Sequence, residues 1–94
     1  MSAASEPSFT LKQGQYLAFI HAYTQLNGRP PAEADFQRFF RVTPPSVHQM
    51  ILTLERVGLI RRQPGVPRSI QLLADPQDLP VLQNQTVKTS VPRY

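Results

Sequence analysis

The feature that most constrains this chain is a Thr-Pro pair at positions 43 and 44, followed by a helical apolar repeat. Threonine is favoured immediately before a helix, and proline is tolerated at the first helical position because its missing N–H has no partner there. The apolar residues at helical spacing are Val47, Met50, Ile51, Leu54 and Val57. Gly58 is typical of a helix end. The pattern predicts a helix with one buried face.

A first helix is predicted well before this one. Thr10 and Gln13 have the spacing of a capping box, in which each side chain bonds the backbone N–H of the other residue. An apolar face then recurs at i, i+3, i+4 and i+7, on Tyr16, Phe19, Ile20 and Tyr23. Asn27-Gly28 should end the helix, with the glycine in a left-handed conformation.

A second helix is predicted from about Ala32 to Phe40. Its first turn carries two acidic residues, which interact favourably with the positive end of the helix dipole. Phe36, Phe39 and Phe40 form its expected buried stripe, and we interpret them as core residues. Ala32 is a poor residue at a helix start because it has no side-chain acceptor.

Two short strands are expected after Gly58. Residues 59–62 and 68–73 alternate apolar and polar side chains, and the Pro/Gly-rich segment 63–67 should form the turn between them. The predicted fold is therefore mainly α with a small β-hairpin, a three-helix winged helix-turn-helix. We expect this domain to span residues 9–74, after a disordered N-terminal tail of residues 1–8.

Residues 75–94 are predicted to form a C-terminal tail, because the composition there changes to Asp, Pro, Gln and Thr. Two interpretations stay open. The tail is either disordered or it packs against a second copy of the chain in a homodimer. The apolar residues available for such packing are Leu79, Val81, Leu82, Val87 and Val91.

The charge distribution favours a polyanionic partner. The net charge is +4, and the segment from Arg29 to Arg68 contains seven arginines and three acidic residues. A basic surface of this kind suits nucleic acid, although many small domains are mildly basic and bind nothing charged. The longest apolar run, Tyr16 to Ile20, is too short to span a membrane. The N-terminus does not resemble a secretory signal, and we expect a cytoplasmic protein.

The sequence shows no recognisable arrangement of catalytic residues. There is no cysteine, and the two histidines, His21 and His48, are far apart and lack clustered carboxylates as metal partners. No glycine-rich phosphate-binding loop is present. We therefore expect no catalytic activity, no cofactor, no metal and no small-molecule substrate.

Candidate nucleic-acid-binding residues lie on the third helix and the hairpin. The helix face opposite the apolar repeat carries Ser46, His48, Gln49 and Thr53, whose side chains can hydrogen-bond base edges or phosphates. Arg61, Arg62 and Arg68 flank the hairpin turn, and three clustered cations favour an anionic partner such as DNA. The alternatives are an ordinary solvated helix face and a charged edge strand that resists aggregation.

Five motifs, in order and spacing, resemble the DNA-binding domain of the LexA repressor family. They are Phe9–Tyr16 (FTLKQGQY), Asn27–Pro31 (NGRPP), Thr43-Pro44, Gly58–Ile60 (GLI) and Arg68–Leu72 (RSIQL). Together they cover about residues 9 to 73. The resemblance implies base contacts from Thr43, Pro45, Ser46, His48 and Gln49. It implies wing or backbone contacts from Arg61, Arg62 and Arg68.

The resemblance also implies a function. We expect sequence-specific binding of double-stranded DNA by a small, repressor-like transcriptional regulator. The alternative is a winged-helix protein–protein interaction module that does not bind DNA, and a less favoured one is an RNA-binding or antitoxin-like protein.

Several positions depart from the family pattern. Ala32 replaces the family's usual threonine, the loop before the third helix is one residue shorter, and Pro45 has no N–H to donate. The operator sequence therefore cannot be inherited from the family. Only 21 residues follow Leu73, too few for the family's self-cleaving Ser-Lys domain, so we expect no autoproteolysis.

Overall fold

The computed structural model describes residues 9–83 and has the predicted mainly helical architecture. Its helices are α1 (Leu11–Asn27), α2 (Glu33–Phe40) and α3 (Pro44–Arg56). Strands β1 (Ile60–Arg61) and β2 (Gln71–Leu72) pair antiparallel, with Ile60 opposite Leu72 and Arg61 opposite Gln71. We call residues 60–72 the wing. The two strands are shorter than predicted, and residues 62–70 between them form turns and irregular structure.

Helix α1 begins and ends as its sequence predicts. The Gln13 N–H donates to Thr10 Oγ1 at 3.1 Å, and the Thr10 N–H donates to Gln13 Oε1 at 2.9 Å. This reciprocal pair satisfies two backbone donors that the first turn would otherwise leave without partners. Gly28 follows the helix with φ of 76°, the left-handed conformation that glycine adopts without a steric penalty.

Helix α2 begins without a side-chain cap at Ala32. The carboxylate of Asp35 compensates, because its Oδ2 accepts the Ala32 N–H at 2.8 Å. Asp35 is therefore both an acidic residue at the positive end of the helix dipole and half of a capping interaction. The helix ends at Phe40 and is followed by Arg41, which has a left-handed backbone with φ of 57°.

The core lies between α1, the wing and the inner faces of α2 and α3. Tyr16 stacks on Phe40 with ring centroids 4.4 Å apart, and Phe19 packs against Phe36 and Phe39 at 5.0 and 4.8 Å. Phe36 is fully buried, while Phe39 and Phe40 are partly buried against the cluster. The prediction that the phenylalanines of α2 are core residues is confirmed.

One predicted core residue of α3 is exposed. Val57 is 53% exposed because the helix ends at Arg56 and the backbone turns away at this position. Gly58 adopts φ of 83°, and the Leu59 N–H then bonds the carbonyl of Leu54 at 2.9 Å. This turn directs the side chain of Leu59 into the core in place of Val57.

The described structure continues past the predicted domain boundary at residue 74. A 3-10 helix, Pro76–Asp78, is followed by Leu79 and Leu82, which pack against the core of the same chain. Gln15 of α1 holds this segment, since its amide nitrogen donates to the Val81 carbonyl at 2.9 Å and its oxygen accepts the Gln83 N–H at 2.8 Å.

The predicted tail residues thus divide into three groups. Leu79 and Leu82 contact their own chain, whereas Val81 is 83% exposed. Val87, Val91 and the predicted N-terminal tail, residues 1–8, lie outside the described residues.

Candidate nucleic-acid interface

Helix α3 separates its residues into a buried and an exposed face. Val47, Ile51 and Leu54 have no exposed surface, because they pack into the core at i, i+4 and i+7. The candidate residues at the start of the helix are all exposed: Thr43, Pro45, Ser46, His48 and Gln49. Thr53, one turn beyond Gln49, is half-buried. The structure therefore brings five of the nine predicted site residues together on the first half of one helix.

The start of α3 has an unusual pattern of polar groups. Thr43 has the extended backbone of a helix cap, but its hydroxyl donates to Ser46 Oγ at 3.1 Å instead of accepting a helix N–H. Pro44 and Pro45 have no N–H, so two of the helix's first donors are missing. The first turn consequently presents hydroxyl groups and an apolar proline ring, with few free backbone donors.

A groove of about 550 Å³ runs between the start of α1 and α3. Pro45, Ser46, Gln49 and Thr53 line it from α3, and Thr10, Lys12 and Gln13 line it from the other side. Lys12 is exposed and adds a cation to this surface. Lys12 was not among the site residues predicted from the sequence. The sequence signal that could have identified Lys12 is its position two residues after Thr10, within the first of the five motifs, Phe9–Tyr16.

The wing arginines line one concave face, but they differ in what they contact. Arg61 is exposed, and its Nε donates to Gln71 Oε1 at 2.8 Å across the two strands. Arg62 is mostly buried, and its Nε donates to Glu55 Oε1 of α3 at 3.2 Å. Of these two, Arg61 is the one whose charge faces solvent without an ionic partner within residues 9–83.

The side chain of Arg68, in the wing, contacts α1, α2 and the connection between these two helices. Its Nη1 lies 3.1 Å from the Tyr23 hydroxyl, 3.2 Å from the Pro30 carbonyl and 3.1 Å from Asp35 Oδ2. The residue has φ of 56°, which turns its side chain back toward α1 and α2. Two of the three wing cations are therefore paired within the protein, Arg62 with Glu55 and Arg68 with Asp35.

Several interactions shift the pKa of Asp35 in opposite directions. Burial would raise the pKa of this carboxyl, since the side chain is only 7% exposed. The Ala32 N–H, Arg68 and Arg38 favour the ionised form, and together they hold the pKa of Asp35 below its usual value. Asp35 is thus ionised and joins the start of α2 to the wing.

The part of the chain that the structure describes, residues 9–83, contains no group of three His, Cys, Asp or Glu side chains placed to hold a metal ion. Within the same range, no helix combines the length and the apolar character needed to cross a bilayer.

Comparisons with known proteins agree with this geometry. The family model described as the LexA DNA binding domain matches residues 7–69. The chain is 38% identical over 72 residues to the LexA repressor of Thermosipho africanus, covering 77% of this chain and 36% of that protein. It is 36% identical over 81 residues to the LexA repressor of Bacillus subtilis, covering 85% of this chain and 38% of the relative.

The chain spans about a third of the length of the curated relatives it matches. The resemblance inferred from the five sequence motifs is confirmed. So is the fold, a winged helix-turn-helix of three helices and a two-stranded hairpin. This chain belongs to the LexA DNA-binding domain family.

Proposed function

We propose that this chain binds double-stranded DNA sequence-specifically and acts as a repressor-type regulator of transcription. The observation that carries the proposal is the division of α3. Its inner face is anchored by Val47, Ile51 and Leu54, which leaves the polar outer face of its first half exposed on a rigid element. Helix-turn-helix proteins place the N-terminal residues of such a helix against base edges in the major groove.

Each exposed residue has chemistry suited to that groove. Gln49 can donate to and accept from adenine in a bidentate pair, and the hydroxyls of Thr43 and Ser46 can bond a base or a phosphate. Pro45 offers an apolar surface of the kind that contacts a thymine methyl group. Thr53 lies farther along the groove and would meet the DNA at its edge.

We assign contacts with the DNA phosphate backbone to exposed cations that have no ionic partner among the described residues. Lys12 on one side of α3 and Arg61 in the wing are exposed and have no ionic partner among residues 9–83. They would bind phosphates flanking the groove that α3 enters. We propose a supporting role for Arg62 and Arg68, which hold the wing against α3 and α2 through Glu55 and Asp35.

A two-fold dimer is a further part of the proposal, because palindromic operators are read by dimers. Its contacts would involve Val81 and residues beyond 83, since Leu79 and Leu82 pack within their own chain. Sedimentation equilibrium of the chain and of a version ending at Gln83 tests this. A dimer mass retained by the shorter chain would exclude the last residues from the interface.

The direct test is fluorescence anisotropy of the chain with a random 30-base-pair duplex at two salt concentrations. Binding that weakens steeply with salt is expected, since each phosphate contact releases counterions. Selection from a random duplex pool should then enrich one motif. Absence of binding at low salt would contradict the proposal and favour the protein-interaction module.

A further inference from the structure

A side-chain contact joins α2 to the exposed first half of α3, which carries the candidate base-contacting residues. His48 Nδ1 lies 3.4 Å from Glu33 Oε2, with the two side chains 52% and 39% exposed. Glu33 is in the first turn of α2, and His48 is in the exposed first half of α3. The pair therefore joins a residue outside α3 to a residue of α3 that is a candidate for contact with a base.

We propose that Glu33 is a positioning residue that holds the proton of neutral His48 on Nδ1, so that Nε2 presents a lone pair to the DNA. This inference rests on the proposed DNA binding. A carboxylate oxygen only accepts hydrogen bonds, so a hydrogen bond between these two atoms places a proton on Nδ1. A neutral imidazole has one donor and one acceptor, which makes the other nitrogen the acceptor. Within residues 9–83, Nε2 has no hydrogen-bond partner of its own.

The fixed tautomer gives His48 a defined base preference. In the major groove, adenine and cytosine each present an exocyclic amino donor, whereas guanine and thymine present acceptors. An Nε2 lone pair can accept from the amino group of adenine or cytosine. It faces repulsion from the O6 or N7 of guanine. Glu33 thereby determines which bases His48 accepts, although it need not touch DNA itself.

Protonation reverses this preference. A second proton on the ring would go to Nε2, since Nδ1 already carries one. Nε2–H then becomes a donor suited to guanine O6 or N7. Within residues 9–83, Glu33 of α2 is the charged side chain that forms a hydrogen bond or ion pair with the ring, and no charged group of α1 or the wing does so. The bound base should therefore shift from an amino-bearing base to guanine as pH falls.

The first test does not need DNA. Long-range ¹H–¹⁵N spectra of the full chain at pH 8 distinguish a histidine protonated on Nδ1 from one protonated on Nε2. His48 is expected in the Nδ1–H form, to leave that form in Glu33→Ala, and to keep it in Glu33→Gln, whose amide oxygen still accepts. His21, the other histidine of the chain, lies in α1 and serves as the internal control. An Nε2–H form in the wild type, or no change in Glu33→Ala, overturns the proposal.

The second test measures the base preference. A duplex selected by the full chain from a random pool at pH 8 is varied one base pair at a time and titrated at pH 8 and pH 5.8. The position read by His48 is the one whose discrimination disappears in His48→Ala. At this position and at pH 8, we expect a duplex with an amino-bearing base to bind about five-fold more tightly than one with guanine. This ratio corresponds to the contribution of about one hydrogen bond. This ratio should reverse at pH 5.8 and approach one in Glu33→Ala.

The two tests separate the possible failures. A base preference that is independent of pH and unchanged in Glu33→Ala would overturn the role of Glu33 even if DNA binding is intact. If no duplex is bound, the proposed function fails, and the inference that rests on it fails with it, while the tautomer measurement still reports whether Glu33 orients the ring.

Discussion

Asp35 and Arg68 form an ion pair that joins helix α2 to the wing, with Oδ2 and Nη1 3.1 Å apart. The same carboxylate also accepts the Ala32 N–H and pairs with Arg38. One buried side chain thus starts α2, orients the wing and neutralises an arginine that would otherwise add to the charge of the wing.

Asp35→Ala should destabilise the fold by about 3 kcal/mol, because it removes a buried acceptor and leaves Arg68 without its carboxylate partner. Urea denaturation followed by circular dichroism measures the loss. Arg38→Ala is the matched control, since it removes a 71% exposed partner of the same carboxylate and should cost less than about 1 kcal/mol. Equal losses in the two variants would show that the buried pair contributes little.

Stability should fall in acid through the same carboxyl. The pKa of Asp35 is lowered in the folded state, because the hydrogen bond from Ala32 and the charges of Arg68 and Arg38 outweigh the effect of burial. The ionised form therefore stabilises the fold at pH above the ordinary aspartate value of about 3.9. This contribution is lost as pH falls through the lower folded-state pKa. The difference in the free energy of unfolding between wild type and Asp35→Asn should become smaller as pH is lowered from 6 to 2.5. A difference that stays constant over this pH range would contradict the prediction.

Gln49→Ala should reduce discrimination between a selected duplex and a random one. A bidentate contact to a base contributes about 1–3 kcal/mol, so binding of the selected site should weaken by that amount while binding of random DNA changes little. Anisotropy titrations of both duplexes provide the measurement. Gln25→Ala, an exposed glutamine of α1 outside the groove, is the control. Equal weakening on both duplexes would remove Gln49 from base reading.

Arg61→Ala should weaken binding to all duplexes alike, because its exposed guanidinium is assigned to a phosphate. The slope of log K against log salt should decrease by about one unit. Arg61→Lys keeps the charge and gives up the planar fork that bonds Gln71, so its slope should stay near that of the wild type. An unchanged slope in Arg61→Ala would show that the wing contributes no phosphate contact at this residue.

Gly14→Ala should loosen the segment that follows the 3-10 helix. An added Cβ would lie 3.0 Å from Cε1 of Phe9 and 3.1 Å from Cγ of Pro80, closer than side chains normally approach. Alanine in a helix ordinarily stabilises by about 1 kcal/mol relative to glycine, and we expect this gain to be cancelled. Hydrogen exchange of the Gln83 amide should accelerate, because its bond to Gln15 depends on the same packing. Unchanged exchange with a gain in stability would contradict this.

The boundaries of the helices were predictable because their signals are local. The Thr10–Gln13 capping box, the left-handed Gly28 and the Thr43-Pro44 start of α3 each involve residues close in sequence. The outward placement of Val57 was not predictable from apolar spacing. Periodicity assumes that the helix continues, whereas here the turn at Gly58 delivers Leu59 to the core instead.

The candidate site was predictable in part. The exposed face of α3 follows from its apolar repeat, so Ser46, His48 and Gln49 were correctly placed on the surface. The wing arginines could not be distinguished in the same way. All three have the same side chain in a short, charged segment, and only the partner that each one meets separates Arg61 from Arg62 and Arg68.

By itself, the sequence determined where the helices start and stop, which of their faces are apolar, and the family that the motifs resemble. The tertiary structure alone decided which charges remain available. It brought Arg68 to Asp35, His48 to Glu33, and the segment ending at Gln83 to Gln15. These pairs are 15 to 68 residues apart, and they form because packed helices bring distant side chains together. Capping and periodicity act over a few residues, so they cannot specify such partners.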